Sequence, residues 1–219
     1  NHLQFMNTSE KVAKLLLNIG AITLNPKKPY KYSSGILSPV YTDCRILMSV
    51  PEERKLIRNL YVDVIKSAGE FDLIAATATA GIPHAAWIAD RMNLPMVYVR
   101  GSAKDHGKGN QIEGRVKKGH KTAVIEDLIS TGESSVGTVK AIRKAGGKAE
   151  YVFAIITYEL DKAKENYRAK KIKLKALTTF QDVVFQAVKL GNIGESEKNI
   201  ILEWIMDPVS WGKRWGFEK

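Results

Sequence analysis

Apolar positions along the chain fall into two alternating rhythms. Val12, Leu15, Leu16 and Ile19 recur at helical spacing near the start. Pro51 opens a second helical stretch that runs through Leu56, Leu60 and Val64 to about Ala68. Short apolar, β-branched runs then predict strands over 71–76, 95–99, 122–125 and 149–157. Between them, helical patterns occupy 82–91 and 134–145, the latter marked by Val136, Val139, Ala141 and Ile142. Strands alternating with helices predict an α/β fold with a mainly parallel sheet covered on both faces. Sites on such sheets lie at the carboxyl ends of the strands, where the segments after 76 and 125 fall.

Composition narrows the class. A chain of 219 residues that is 44% hydrophobic can form one large α/β domain. The lone Cys44 excludes an intramolecular disulfide and fits a reducing cytoplasmic setting. No apolar run reaches the ~20 residues that span a bilayer, and the start lacks a secretory pattern. Residues 1–5, before Met6, read as an expression remnant outside the domain. The net charge of +11 raises nucleic-acid binding as a rival reading. Its densest support is the run from Lys162 to Lys175, yet no zinc spacing, basic zipper or aromatic-basic RNA motif accompanies it. A solvated face is the simpler account. The Trp-rich tail over 203–217 carries no chemical motif and suits core packing or a dimer contact better than base stacking.

The richest chemistry lies at 122–146, where a strand leads into Glu126 and Asp127, then a hydroxyl-rich loop, then a helix. Hydroxyls before a helix are often ordinary caps. A helix N-terminus also leaves N–H groups unpaired and favours anions, and Gly132 permits a tight turn. Two carboxylates beside an anion site call for a diol or a metal ion.

The string VIEDLISTGESS over 124–135 resembles the phosphoribosyl pyrophosphate (PRPP) signature of the type I phosphoribosyltransferases. That resemblance implies the fold of this family: a central, mainly parallel sheet flanked by helices, a small hood and a flexible catalytic loop, in a single domain over 6–219. It also implies that Glu126 and Asp127 meet the ribose hydroxyls, directly or through Mg²⁺. Ser130, Thr131, Gly132, Glu133 and Ser134 would then cradle the 5′-phosphate, with Leu128 and Ile129 also counted in the PRPP site.

A second segment, RGSAKDHGKGNQIEG over 100–114, has several charges, four glycines and no apolar periodicity, and predicts a mobile surface loop. It resembles the catalytic loop of the orotate phosphoribosyltransferases. By that resemblance Arg100, Lys104 and His106 reach pyrophosphate, in the site of a neighbouring subunit, so a homodimer is expected. Gly101 stands where many members carry a second lysine.

Two further segments agree. YSSGILSPVYTDCR over 32–45 resembles the border of the orotate pocket, which implies Ser33 and Tyr41 as orotate contacts, with Asp43 and Arg45 nearby; Ser130 is assigned to orotate as well. TATAGIP over 77–83 follows a predicted strand, with Pro83 at an expected first helical position, and implies that Ala80 and Gly81 hold pyrophosphate through backbone amides. Ser33 and Ala80 stand where some members have lysines, and nothing after the strand ending at 157 matches an arginine found in certain relatives.

The resemblance thus implies a cytoplasmic pentosyltransferase that joins orotate to PRPP in pyrimidine biosynthesis with Mg²⁺. Lys104, His106, Arg100 and Asp127 are its catalytic candidates. Part of the positive charge would serve to attract two anionic substrates. A fused decarboxylase barrel would need ~200 further residues, so a stand-alone enzyme is expected. A purine-type phosphoribosyltransferase would share the 126–134 loop but has no use for the 100–114 loop. A non-catalytic PRPP-sensing regulator is the remaining alternative.

Overall fold

The computed structural model describes residues 7–32, 35–101 and 111–217. Residues 1–5, Ser33, Lys104 and His106, all singled out above, lie outside the described residues.

Helix α1 (Thr8–Asn18) is opened by a capping box, in which the Asn7 side chain accepts from the Glu10 N–H and the Glu10 carboxylate accepts from the Asn7 N–H. Two small antiparallel pairs follow: β1 (Ile22–Leu24) with β4 (Val40–Thr42), and β2 (Tyr30–Lys31) with β3 (Leu37–Ser38). They form the hood. A 3₁₀ turn, Cys44–Ser49, leads into α2 (Pro51–Ala68).

The main sheet begins with β5 (Leu73–Thr77), followed by α3 (Gly81–Met92) and β6 (Met96–Val99). Next come β7 (Ile112–Glu113), β8 (Lys121–Ile125), β9 (Leu128–Ile129), α4 (Glu133–Lys144) and β10 (Lys148–Thr157). Helix α5 (Asp161–Ala169), β11 (Lys173–Thr179), α6 (Phe180–Lys189), α7 (Glu195–Met206) and α8 (Pro208–Arg214) complete the chain. The spatial order is β11-β10-β8-β5-β6-β7, with β9 also on β10. All pairings in it are parallel except β6–β7.

Successive side chains on a strand face opposite sides, so each strand feeds both layers. Ile74, Ala76, Ala123, Ile125, Phe153 and Ile155 join one core with α1, α2, α3 and α6. Leu73, Ala75, Val124, Val152 and Ala154 join the other with Val136, Val139 and Ile142 of α4 and with Ala163 and Tyr167 of α5. The tail belongs to the first core: Trp204 and Trp211 are buried and donate to the carbonyls of Leu37 (3.0 Å) and Ile200 (2.8 Å). The first bond ties α7 to the hood, and the second ties α8 to α7.

Several expectations are corrected. Helix α3 starts at Gly81, so Pro83 is its third residue rather than its first; the ring is tolerated because first-turn N–H groups have no intrahelical partner. The 100–114 segment, expected as a surface loop, is carried on a hairpin stem: Ile112 and Glu113 pair with Val99 and Tyr98 of the preceding strand, and the Arg100 N–H donates to the Gln111 carbonyl. The basic run is the solvated face expected of it, but part of it forms a strand, β11, that the pattern did not predict. Its seven cationic side chains are all exposed, and Lys173 and Lys175 point outward from an edge strand, where charge discourages pairing with another chain.

Candidate active site

Numbered within the main sheet as β5, β6, β8, β10 and β11, the parallel strands lie in the order 2-1-3-4-5. The order reverses between β5 and β8. Ligands of open α/β sheets bind outside the carboxyl ends of the strands at such a switch point. The 77–80 loop leaves β5 on one side of it and Glu126-Asp127 leaves β8 on the other.

The acidic pair sits in a break between β8 and β9, both of which run along β10. The Glu126 N–H donates to the Phe153 carbonyl at 2.9 Å, and the Asp127 carbonyl accepts from the Ile155 N–H at 3.0 Å. The bend is therefore clamped on both sides. From α2 the buried Tyr61 hydroxyl donates to the Glu126 carbonyl at 2.7 Å. Glu126 is buried and Asp127 partly so. Burial raises the pKa of the Glu126 carboxyl, and the adjacent Asp127 charge adds to the effect. Asp127 is also raised by burial, opposed by hydrogen bonds and by the Arg45 guanidinium. A partner that supplies positive charge or hydroxyl donors would relieve this cost.

Beyond β9, Ser130 and Thr131 are partly exposed, Gly132 is left-handed at φ 75°, and Glu133 and Ser134 open the exposed first turn of α4. Leu128 and Ile129 are strand residues. The Ile129 side chain is buried in the core, so only its backbone faces the loop chemistry. Glycine is required at 132: a Cβ there would lie 2.9 Å from the Tyr167 ring.

Opposite this loop, Gly81 brings α3 against β8 so closely that an added Cβ would meet the Ile125 carbonyl oxygen at 2.7 Å. Ala80 is partly exposed just before it, and the Ala78–Thr79 peptide is cis. Thr77 and Thr138 hydroxyls lie 3.0 Å apart, linking the end of β5 to α4. Between them opens a cavity of about 210 Å³ lined by Thr77, Ala78, Arg100, Gln111, Glu133 and Ser134, among others. Arg100 is placed at its rim by the hairpin stem: its N–H donates to the Gln111 carbonyl and its carbonyl accepts from the Gln111 side-chain amide, each at 2.9 Å.

The hood contributes Tyr41, 45% exposed and stacked at a tilt on Tyr30 with centroids 5.6 Å apart. Asp43 and Arg45 form a two-bond ion pair (2.7 and 3.0 Å). Cys44 between them is buried, and burial drives its thiol pKa well up, which makes it inert.

The structure thus brings Thr77, Ala78, Arg100 and Glu133-Ser134 around one cavity, while Ala80, Gly81 and the acidic pair lie outside its lining at the same sheet edge. Sequence reasoning missed Tyr61, Asn166 and Tyr167. Asn166 donates from its side chain to the Thr131 carbonyl at 2.9 Å, and Tyr167 meets Ser135 at 2.7 Å. A tyrosine on an amphipathic helix and two residues inside a basic run carry no motif, so only the fold exposes them.

As for Mg²⁺, no group of three or more His, Cys, Asp and Glu side chains able to hold a metal exists among the described residues. A cation held by one or two carboxylates plus substrate oxygens needs no such cage. The Glu126-Asp127 pair, whose carboxyls burial makes costly to ionise without a partner, fits that role.

The phosphoribosyl transferase domain family matches residues 46–190, a span that includes the 77–81 loop, the acidic pair and the loop after it. A curated orotate phosphoribosyltransferase of Coxiella burnetii is 50% identical over 207 residues, covering 94% of this chain and 99% of that protein. The crystal structure of orotate phosphoribosyltransferase from Aeropyrum pernix superposes with a TM-score of 0.72 at 27% identity, covering 84% of this chain and 99% of that one. Leishmania donovani UMP synthase gives a TM-score of 0.76 at 26% identity, covering 91% of this chain and 42% of that longer one. The chain belongs to the orotate phosphoribosyltransferase family.

Proposed function

We propose that the protein transfers the 5-phosphoribosyl group of PRPP to a ring nitrogen of orotate, giving orotidine 5′-phosphate and pyrophosphate. The carrying observation is the acidic pair and hydroxyl-rich loop set on one clamped bend across the switch point from the 77–81 loop. Near-full-length identity to curated orotate enzymes favours this over a purine-type transferase or a regulator.

In this reading Glu126 and Asp127 accept hydrogen bonds from the ribose hydroxyls, while the N-terminal turn of α4 and the Ser130 and Thr131 hydroxyls hold the 5′-phosphate. Pyrophosphate lies against the 77–81 loop. The C1′–O bond to pyrophosphate breaks as the C1′–N bond forms, so positive charge grows on the ribose and negative charge on the leaving oxygens. Arg100, together with Lys104 and His106 outside the described residues, neutralises the latter. Mg²⁺, when bound beside Glu126 and Asp127, would supply further charge neutralisation on the phosphate oxygens. Tyr41 and Ser130 border the orotate ring, with Ser33 outside the described residues, and the ring nitrogen is positioned rather than strongly activated.

The reading includes a cytoplasmic homodimer in which the 100–114 loop serves the partner's site. No described helix is long and apolar enough to cross a membrane. The deciding assay offers protein, Mg²⁺ and PRPP with orotate, hypoxanthine, adenine or uracil in turn. Nucleotide is expected from orotate alone; nucleotide from a purine, or none from orotate, overturns the reading. Mixing Lys104→Ala with Asp127→Asn protein should restore activity that neither variant has, and no recovery would refute the shared loop.

A further inference from the structure

The 130–134 loop is held from behind by helix α5. Asn166 and Tyr167 are consecutive on α5, a helix whose outer surface is the exposed basic run. The Asn166 side-chain amide donates to the Thr131 carbonyl at 2.9 Å. The Ser135 hydroxyl donates to the Gly132 carbonyl at 3.0 Å and lies 2.7 Å from the Tyr167 hydroxyl. A hydroxyl has a single proton, so with Ser135 donating to Gly132, Tyr167 is the donor to Ser135. Tyr167 and Ser135 are buried, and the Tyr167 ring lies against Gly132, where no Cβ fits.

These bonds have a directional consequence. In a planar trans peptide the N–H of the next residue points opposite to the carbonyl. Drawing the Thr131 carbonyl toward Asn166 turns the Gly132 N–H away from α5. Fixing the Gly132 carbonyl with Ser135, and with the Val136 N–H at 3.0 Å, turns the Glu133 N–H away from the helix interior. These N–H groups belong to the start of α4, where unpaired donors and the helix field together favour an anion. Without the brace, a left-handed glycine between Thr131 and Glu133 has many accessible conformations.

We infer that Asn166 and Tyr167 are positioning residues that set the phosphate-binding conformation of the 130–134 loop. The inference rests on the reading that this loop holds the ribose 5-phosphate half of PRPP. It predicts selective loss: affinity for the phosphoribosyl half falls, while affinity for pyrophosphate and orotate does not.

The test measures inhibition constants of ribose 5-phosphate and of pyrophosphate, with KM values for PRPP and orotate, kcat, and thermal melting. Tyr167→Phe keeps the ring on Gly132 and removes only the hydroxyl; Asn166→Ala acts at a partly exposed position and gives an independent route if Tyr167→Phe folds poorly. Thr131→Ala serves as the direct loop variant. Each α5 variant should raise the ribose 5-phosphate constant and the PRPP KM roughly five- to tenfold, the loss typical of one hydrogen bond. The pyrophosphate constant, the orotate KM and kcat should stay within about twofold, well inside one such bond. Asn166→Gln should recover part of the loss. If Thr131→Ala weakens ribose 5-phosphate but neither α5 variant does, the brace is refuted. If Thr131→Ala too leaves ribose 5-phosphate unchanged, the loop assignment itself fails, and the brace with it. Equal losses for ribose 5-phosphate and pyrophosphate, tracking the melting temperature, would show general destabilisation and overturn the inference.

Discussion

Gly81→Ala isolates the contact between the two halves of the site. Gly81 is helical and needs no unusual backbone angle, so alanine is conformationally acceptable and gains about 1 kcal/mol of helix propensity. Its Cβ, however, would lie 2.7 Å from the Ile125 carbonyl oxygen and 3.6 Å from the Glu126 Cα. Both are backbone atoms clamped into the central sheet, so the neighbour cannot rotate away. Reaching the 3.0–3.4 Å of tight real contacts moves α3 from β8 by about 0.3–0.7 Å. Overpacking of this kind costs ~1–3 kcal/mol, partly offset by propensity, leaving a net loss of up to about 2 kcal/mol. At roughly 2–4 °C per kcal/mol for a chain this size, melting should fall by no more than about 8 °C. Activity is the sharper readout. A displacement of 1 Å can cost ~100-fold, so about half that shift predicts roughly a tenfold fall in kcat/KM, or ~1.4 kcal/mol. The assay follows orotate consumption with saturating PRPP and then saturating orotate, alongside differential scanning calorimetry. A kcat/KM within twofold of the parent would refute the claim that this contact sets the spacing of the 77–81 loop and the acidic pair.

Other consequences are equally direct. Tyr61→Phe removes the donor to the buried Glu126 carbonyl and should cost about 1–3 kcal/mol in urea unfolding, with a raised PRPP KM; an unchanged midpoint would show the bond to be dispensable. His84 is buried against Tyr61 and Trp87, and burial holds its pKa down to about 4, against 6.5 unfolded. Its native form resists the proton that the unfolded chain takes up, so its contribution is full above pH 6.5 and lost as pH falls toward 4, by about 3 kcal/mol. His84→Asn should flatten the pH dependence of urea unfolding between 6.5 and 4, and an identical slope in both proteins would contradict the assignment. Lys104→Ala should cut turnover far more than substrate affinity, and the reverse pattern would argue against a catalytic loop.

The parts of this protein legible in its sequence are those written in local periodicity. The helix from Pro51 to Ala68 was bounded at both ends by its pattern, and the strands over 73–77, 96–99, 121–125 and 148–157 differ from expectation by one or two residues. Strand β11 was hidden because it is an edge strand: Leu174 and Ala176 alternate with exposed lysines, and the charge that protects the edge reads as a solvated run. The hood strands span two or three residues, too few for any period to register.

The chemistry of the acidic pair and its loop was likewise a local matter, since a strand, two carboxylates, hydroxyls and a helix start are contiguous over 122–146. Strand order was not. It placed the loop after β5 beside the acidic pair after β8, roughly fifty residues later, and it made Gly81 the spacer between them. It also brought Tyr61 to Glu126 and Asn166 to Thr131 across separations of 65 and 35 residues. Such contacts arise from how two cores close on opposite faces of one sheet, and burial at a distance leaves no periodic trace in the residues that meet. The sequence determined the donors and acceptors of this site, while the packing of α2, α3 and α5 onto the sheet decided which way they point.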